Sequence, residues 1–208
     1  MSDSKKKTAL VLIADGTEEM EAVITIDVLV RAGLDVTVAS IKPDTSIQPV
    51  KCSRGVKIVP DTLLSSLPLP AITDNDLSPE LFSVLVVPGG GPGAQAMVAS
   101  PLVHVWVQAH YKKALLAAVC AGPTVLKAAN VARGAKVTSH PSVRAELDGY
   151  FAYQDNNVGK SIVVQDTDHG LITSRGPGST FEFALAIVEQ LQGAKTVDEI
   201  RGPMMFPH

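Results

Sequence analysis

The chain is poor in aromatic residues and cysteine, and it has no surplus of positive charge. Only 4% of its 208 residues are aromatic, with a single tryptophan, Trp106. That is too few for a stacking surface that grips single-stranded nucleic acid. Eighteen Lys and Arg stand against 21 Asp and Glu, a net charge of −3, so there is no basic footprint for a phosphate backbone. Two cysteines, Cys52 and Cys120, lie far apart in sequence. They form neither a disulfide scaffold nor a Cys-x-x-Cys zinc pair, and a reduced, intracellular setting is the default. The five histidines show no His-x-x-x-His spacing, and no metal site is expected.

A membrane span is also missing. The stretch Leu81 to Tyr111 carries no Asp, Glu, Lys or Arg, but Pro88-Gly89-Gly90-Gly91-Pro92-Gly93 interrupts it. A strand, a glycine turn and a helix explain it better. Lys5-Lys6-Lys7 before Ala9–Ala14 faintly resembles the start of a signal peptide. The apolar run is too short for one, so a solvated tail over residues 1–7 is expected. There is no internal repeat and no dividing linker, and residues 1–208 read as one domain. The Pro-, Asp- and Ser-rich residues 68–79 read as a surface insertion.

Apolar residues make up 46% of the chain, and their pattern is informative. Short runs alternate with helical segments. The runs are Ala9–Ala14, Val36–Ser40, Val56–Val59, Val84–Val87, Leu115–Val119, Val137–Ser139, Ile162–Val164 and Leu171–Thr173. Several are continuous, as strands buried on both faces of a parallel sheet should be. Helices are predicted over Glu18–Arg31 with Asp15 or Thr17 as cap, Pro101–Lys112 capped by Ser100, Ala121–Ala129, and Ser179–Leu191. His169-Gly170 and Asn156-Asn157 read as hairpin turns. The order implies an α/β, flavodoxin-like, doubly wound sandwich, its mostly parallel sheet covered by helices on both faces.

In such a fold, ligands meet the chain at the carboxyl ends of the strands. Three junctions there stand out. At Leu115–Thr124 an apolar strand runs into Cys120, with Ala118 and Gly122 at −2 and +2. This is the spacing of a nucleophile elbow, and the following helix N-terminus should favour thiolate. Cys120 is therefore expected to be more acidic and more reactive than Cys52. A buried cysteine serving as a small hydrophobe would show the same residues. At Pro88–Gly93 a glycine turn can present N–H groups to an oxyanion. The lysine of a phosphate loop and the dinucleotide G-x-G-x-x-G spacing are both absent there. At Asp15–Glu21 three acids open a helix. Glu18 and Glu19 suit capping, whereas Glu21 sits nearly a turn inside an apolar helix, where burial could hold its carboxyl protonated.

With these residues in view, the chain resembles the ThiJ/PfpI superfamily of the class I glutamine-amidotransferase-like fold, on the side of the parkinsonism-associated deglycases. The match runs through Gly16–Glu21, Cys52-Ser53-Arg54, Val86–Gly90 with Gly93-Ala94-Gln95, Ala121–Thr124 around Cys120, His140-Pro141, Thr173–Gly178 and Phe181–Glu189. The resemblance implies Cys120 as nucleophile and oxidation sensor, Glu21 as its carboxyl partner and His140 nearby as a further catalytic candidate. It implies oxyanion-hole amides at Gly90 and Ala121. Arg31, Arg54, Arg175 and Pro177 match positions that line the pocket or a dimer contact. The implied activity uses no cofactor. It acts on small α-oxoaldehydes, taking methylglyoxal to lactate, or removes early glyoxal adducts from glycated protein side chains. A homodimer without membrane attachment is implied, in the cytoplasm and in some settings the nucleus or mitochondrion. Two other classes use the same elbow. One is a redox-regulated chaperone or stress sensor. The other is a cysteine hydrolase of amidotransferase or peptidase type, which normally needs a late His-x-Glu that this chain lacks. Val59 stands where some relatives carry a third cysteine, and the tail Gly202–His208 departs from the pattern.

Overall fold

A computed structural model describes residues 6–43, 45–70, 81–111, 113–155 and 162–206. Along the chain the elements are β1 (Thr8–Ile13), α1 (Glu19–Arg31), β2 (Asp35–Ser40), β3 (Val50–Lys51), β4 (Lys57–Ile58), β5 (Thr62–Leu63), β6 (Val84–Val87), α2 (Gly91–Val98) and α3 (Pro101–His110). After these come β7 (Leu115–Val119), α4 (Pro123–Ala128), β8 (Lys136–Val137), α5 (Arg144–Leu147), β9 (Ala152–Tyr153), β10 (Val163–Asp166), β11 (Leu171–Ser174), α6 (Thr180–Gln192) and α7 (Ala194–Arg201).

Strands β6 and β7 are buried at every position, and β1 at all but its first residue. The cause is helix cover on both faces, to which the strands contribute alternately. Leu10, Leu12, Leu85, Val87, Leu116 and Ala118 pack with Met97 of α2, Trp106 of α3 and Leu126 of α4. Ala9, Val11, Val84, Val86, Ala117 and Val119 pack with Val28 and Leu29 of α1, Phe183 and Ile187 of α6 and Ile200 of α7. The sheet has seven strands in the order β10-β11-β7-β6-β1-β2-β5, all parallel except β10, which returns antiparallel to β11. This is the expected α/β sandwich. The order reverses at β1, which pairs with β2 on one side and β6 on the other. Such a switch point opens a crevice at the carboxyl ends of its strands.

Several sequence expectations need correction. Val56–Val59 and Val137–Ser139 supply no strand of the main sheet. Their cores, β4 and β8, form two-residue ladders with β3 and β9. The cap of α1 is Glu18, whose carboxylate accepts from the Glu21 N–H at 2.9 Å, because the Thr17 hydroxyl is taken by the Ala14 N–H. The helix after Cys120 starts only at Pro123. Of the insertion 68–79, residues 71–79 lie outside the described residues, as do Asn156 and Asn157; His169-Gly170 does close the β10–β11 hairpin. No described helix is long and apolar enough to cross a membrane.

One buried group makes the fold sensitive to acid. His110, at the end of α3, is 0% exposed and stacks on Trp106. Its Nδ1–H donates to the Trp106 carbonyl at 2.8 Å, which leaves Nε2 as a bare acceptor in the core. Burial pushes this histidine down from 6.5 to about 4. The unfolded chain therefore takes up a proton first as pH falls, and stability present above 6.5 is lost on the way down to about 4. In His110→Phe that loss should shrink, by on the order of 2–3 kcal/mol between pH 7 and pH 4.5. Urea unfolding followed by Trp106 fluorescence reads it, and an unchanged acid limb would show that other groups govern acid unfolding.

Candidate active site

Cys120 follows directly on β7, with a backbone φ of 60°. That left-handed conformation is costly for a residue with a Cβ, by roughly 1–2 kcal/mol. Main-chain bonds on both sides hold it. The Cys120 N–H donates to the Ser174 carbonyl at 3.0 Å, and the Cys120 carbonyl accepts from the His140 N–H at 2.9 Å. Gly122 completes the elbow because only glycine fits. A Cβ there would lie 2.4 Å from the Val87 carbonyl oxygen.

The carboxyl of Glu21 arrives from the other side of the switch point. Glu21 lies on the core face of α1, at 0% exposure. Its Oε2 accepts from the Gly89 N–H at 2.7 Å, while the Gly89 carbonyl accepts from the Glu18 N–H at 3.1 Å. Gly89, in the loop after β6, is thus bonded twice to the start of α1. It also presses on the cysteine: a Cβ there would stand 2.6 Å from Cys120 Cβ and 2.9 Å from Sγ. Gly90, with φ +85°, approaches the Gly16 carbonyl so closely that a Cβ would meet it at 2.2 Å. Gly89, Gly90 and Gly93 of this loop serve close approach, Gly89 to the thiol and the other two to the backbone of residues 16–18, while Gly91 has open space around it.

Burial dominates the electrostatics. It pushes Glu21 up to about 7, against the opposing hydrogen bonds from Gly89 and the Cys120 side chain. Burial and the facing Glu21 carboxylate push Cys120 up to about 12, and the N–H groups of Gly90 and Ala121 pull it the other way. Cys52 is pushed up to about 11 by burial and the nearby acids Glu19, Glu18 and Asp15. Burial raises both thiols, and only at Cys120 do backbone N–H groups oppose the rise. Glu21 and Cys120 titrate as one unit. The Glu21 carboxylate disfavours the thiolate, while the bond from the Cys120 side chain favours the ionised carboxyl. Cys120 differs from Cys52 in sharing a side-chain hydrogen bond with a carboxyl, that of Glu21.

The sequence from residue 7 to 190 matches the DJ-1/PfpI family model. The chain belongs to the DJ-1/PfpI family. It is 41% identical over 203 residues to the Parkinson disease protein 7 homolog of Danio rerio, covering 96% of this chain and 97% of that one. It is 37% identical over 202 residues to the glutathione-independent glyoxalase DJR-1.2 of Caenorhabditis elegans, covering 96% of both. The crystal structure of Drosophila melanogaster DJ-1beta superposes with a TM-score of 0.83 at 41% identity, covering 98% of this chain and all of that one.

The remaining residues implied by the family resemblance fall into two groups. Gly90 and Ala121 lie at Cys120, their N–H groups acting on its sulfur. His140 reaches Cys120 through its main chain. Its exposed ring takes Ser142 as partner, with Nδ1 2.7 Å from the Ser142 hydroxyl, and lies beside Gly176. Arg175 and Pro177 are half-buried in the turn that leads from β11 into α6. The Arg175 and Gly176 N–H groups both donate to the Ser179 hydroxyl. Arg31 and Arg54 are exposed, on the outer side of α1 and on the β3–β4 hairpin; Arg31 pairs with Asp27 at 2.6 Å. Among the described residues, no three His, Cys, Asp or Glu side chains converge as a metal cage would require.

Sequence reasoning missed the work of Glu19. Its buried carboxylate accepts from the Ser53 hydroxyl at 2.8 Å and from the Arg54 and Val56 N–H groups, fastening the β3–β4 hairpin to α1. The signal was Cys52-Ser53-Arg54-Gly55, a polar turn whose Ser53 hydroxyl and Arg54 N–H donate to an acid. The unpartnered oxygens Glu21 Oε1 and Thr25 Oγ1 sit one helical turn apart on the buried face.

The raised Glu21 gives a signed prediction. The folded chain holds this proton more tightly than the unfolded one, so stability is full below 4.5 and falls as pH rises through about 7. Glu21→Gln should therefore match the wild type near pH 4.5 and exceed it by on the order of 3 kcal/mol at pH 8.5. Denaturant melts at the two pH values measure it, and equal stability at pH 8.5 would mean that the carboxylate is better satisfied than its burial implies.

Proposed function

We propose that the chain is a cofactor-independent cysteine enzyme acting on reactive α-oxoaldehydes. Methylglyoxal would be its simplest substrate, lactate its product, and early glyoxal adducts on protein side chains a related substrate class. The supporting observation is the wholly buried Glu21 carboxyl, held by Gly89 against a thiol on a strained elbow. The glyoxalase name of the Caenorhabditis elegans relative points the same way.

The residues suffice for the chemistry. The Cys120 sulfur attacks the aldehyde carbon, and its proton passes by way of Glu21 to the new hydroxyl group, giving a hemithioacetal. The Gly90 and Ala121 N–H groups face the oxygen that gains charge. Glu21 then removes the C1 proton, and an enediol forms across C1 and C2. The proton returns at C2, leaving a thioester of lactate on Cys120. Water hydrolyses it, releasing lactate and the thiol. A base near 7 is suited to both proton transfers at neutral pH. His140, at the rim, is the alternative base.

A second reading is a redox sensor or chaperone in which Cys120 oxidation is the signal. The N–H groups facing the sulfur would stabilise an oxidised, anionic form as well as an oxyanion. Methylglyoxal consumption separates the two. Wild type should turn over steadily without oxidation, Cys120→Ser should lose activity, and Glu21→Gln should fall about a hundredfold or more. Absence of turnover in freshly reduced wild type would favour the sensor. Near-wild-type rates in Glu21→Gln would pass the base role to His140. The chirality of the lactate reports which face of C2 is protonated.

The reading extends to a cytoplasmic homodimer. The outer side of α1 exposes Met20 (48%), Val23 (46%) and Val30 (53%), and the adjoining hairpin exposes Val56 (50%) and Val59 (66%). A solvated helix should show a polar stripe there, and a two-fold partner would cover this one. Arg31 and Arg54 would lie at its rim. Light scattering at micromolar concentration should give twice the chain mass, and Val23→Asp should shift it towards one. A wild-type monomer would sink the dimer.

A further inference from the structure

We propose that Thr25 is a positioning residue for Glu21, its hydroxyl serving as the partner of Glu21 Oε1. The hydroxyl accepts from that oxygen while the carboxyl is protonated and donates to it once the proton has gone. The effect on turnover rests on the proposed function; the pairing itself does not.

The pairing follows from two orphaned atoms on one helix. Glu21 and Thr25 are both 0% exposed and lie four residues apart on the buried face of α1. Side chains at that spacing stand one above the other, with about 5–6 Å between their Cβ atoms. The Cα–Cβ bond of a helical residue leans towards the helix N-terminus, so Thr25 covers the turn that Glu21 occupies. Glu21 Oε1 and Thr25 Oγ1 are sealed from solvent, and neither has a hydrogen-bond partner. Each orphan is costly, and pairing the two satisfies both. Threonine keeps two χ1 wells in a helix, so its hydroxyl has a second position open to it.

A hydroxyl is the group that suits an oxygen whose charge changes. Glu21 Oε2 accepts from the Gly89 N–H at 2.7 Å, which leaves the proton of the neutral acid to Oε1. An O–H there needs an acceptor, and an ionised oxygen there needs a donor. A hydroxyl is both, and it changes role by turning about its C–O bond. No proton changes owner between the two residues. The groups facing Glu21 are the Cys120 thiol at the end of β7 and the Glu18 carboxyl on its own helix. Of the elements packed on α1, β1 carries no ionisable side chain, and Asp35 of β2 and Glu182 and Glu189 of α6 are exposed. Cys52 of the β3–β4 hairpin packs with Ala22 in a separate cluster. None of these groups is a cation, so a donor hydroxyl is what Thr25 adds. Hydrogen bonds to an ionised group outweigh those to a neutral one, and the hydroxyl therefore favours the carboxylate.

The full chain labelled with 13C at the glutamate side-chain carboxyl provides the test. The Glu21 signal is the one lost in Glu21→Gln. It is titrated without substrate in the wild type, in Thr25→Val, which keeps the shape and removes the hydroxyl, and in Thr25→Ser. The Glu21 midpoint should rise by about one pH unit in Thr25→Val and return in Thr25→Ser. The acid limb of kcat/KM for methylglyoxal should move with it, an approximately tenfold loss below the midpoint. Thr25→Ala gives the same reading should the valine variant not fold. An unmoved midpoint in Thr25→Val would overturn the proposal, placing the hydroxyl on the Glu21 carbonyl as in other helical threonines. An equal rise in Thr25→Ser would also overturn it, because packing and not the hydroxyl would then be the cause. A shifted midpoint in a protein that does not consume methylglyoxal would remove the proposed function and leave the pairing standing.

Discussion

The whole site hangs on one buried contact, the Glu21 carboxylate on the Gly89 N–H. It ties α1, on one face of the sheet, to the loop that leads into α2 on the other. The Glu18 N–H adds a bond to the Gly89 carbonyl, which fixes both the distance and the rotation of that loop. The Cys120 elbow then has one place to go, because Gly89 and Gly122 leave no room for a Cβ between β6, β7 and the thiol. A glycine-rich loop of this kind is easily read as a phosphate cradle. Here Gly89, Gly90 and Gly93 serve close approach.

That contact comes at a cost in stability. A carboxyl at 0% exposure with one unpartnered oxygen prefers to be neutral, which is why it is pushed up to about 7. A fold selected only for stability would place an apolar residue there. What the chain gains is an acid–base group balanced between its two forms at neutral pH, against sulfur and screened from bulk water.

Much of this is legible in the residues. Continuous apolar runs announce β1, β6 and β7 because strands covered on both faces need no alternation. Glu21 can be singled out because a carboxyl a turn inside an apolar helix has nowhere to be solvated. Other features are not legible. Helix α2 begins at Gly91-Pro92-Gly93, residues that read as a turn, and only docking against Thr17 and Gly16 makes a helix there. The strands β3, β4, β8 and β9 are two residues long, too short for any period to register. The resemblance implies His140 near the thiol, and its tie to Cys120 is a main-chain bond, a detail no side-chain pattern encodes. The electrostatics of Cys120 are legible only in part. The helix terminus is visible in sequence, whereas the carboxylate facing the sulfur comes from a segment about a hundred residues away.

The proposed turnover and the oxidation of Cys120 would draw on the same proton. Glu21 and Cys120 face one another across a hydrogen bond, so the protonation of each depends on the other. In the proposed reaction the sulfur becomes nucleophilic as Glu21 takes its proton, and a carbonyl carbon or a peroxide oxygen would meet it alike. Their products differ: the first leaves a bond that water can hydrolyse, the second a sulfur that has lost two electrons. The groups nearest the sulfur are fixed by the fold: the Glu21 carboxyl on one side and the Gly90 and Ala121 N–H groups on the other.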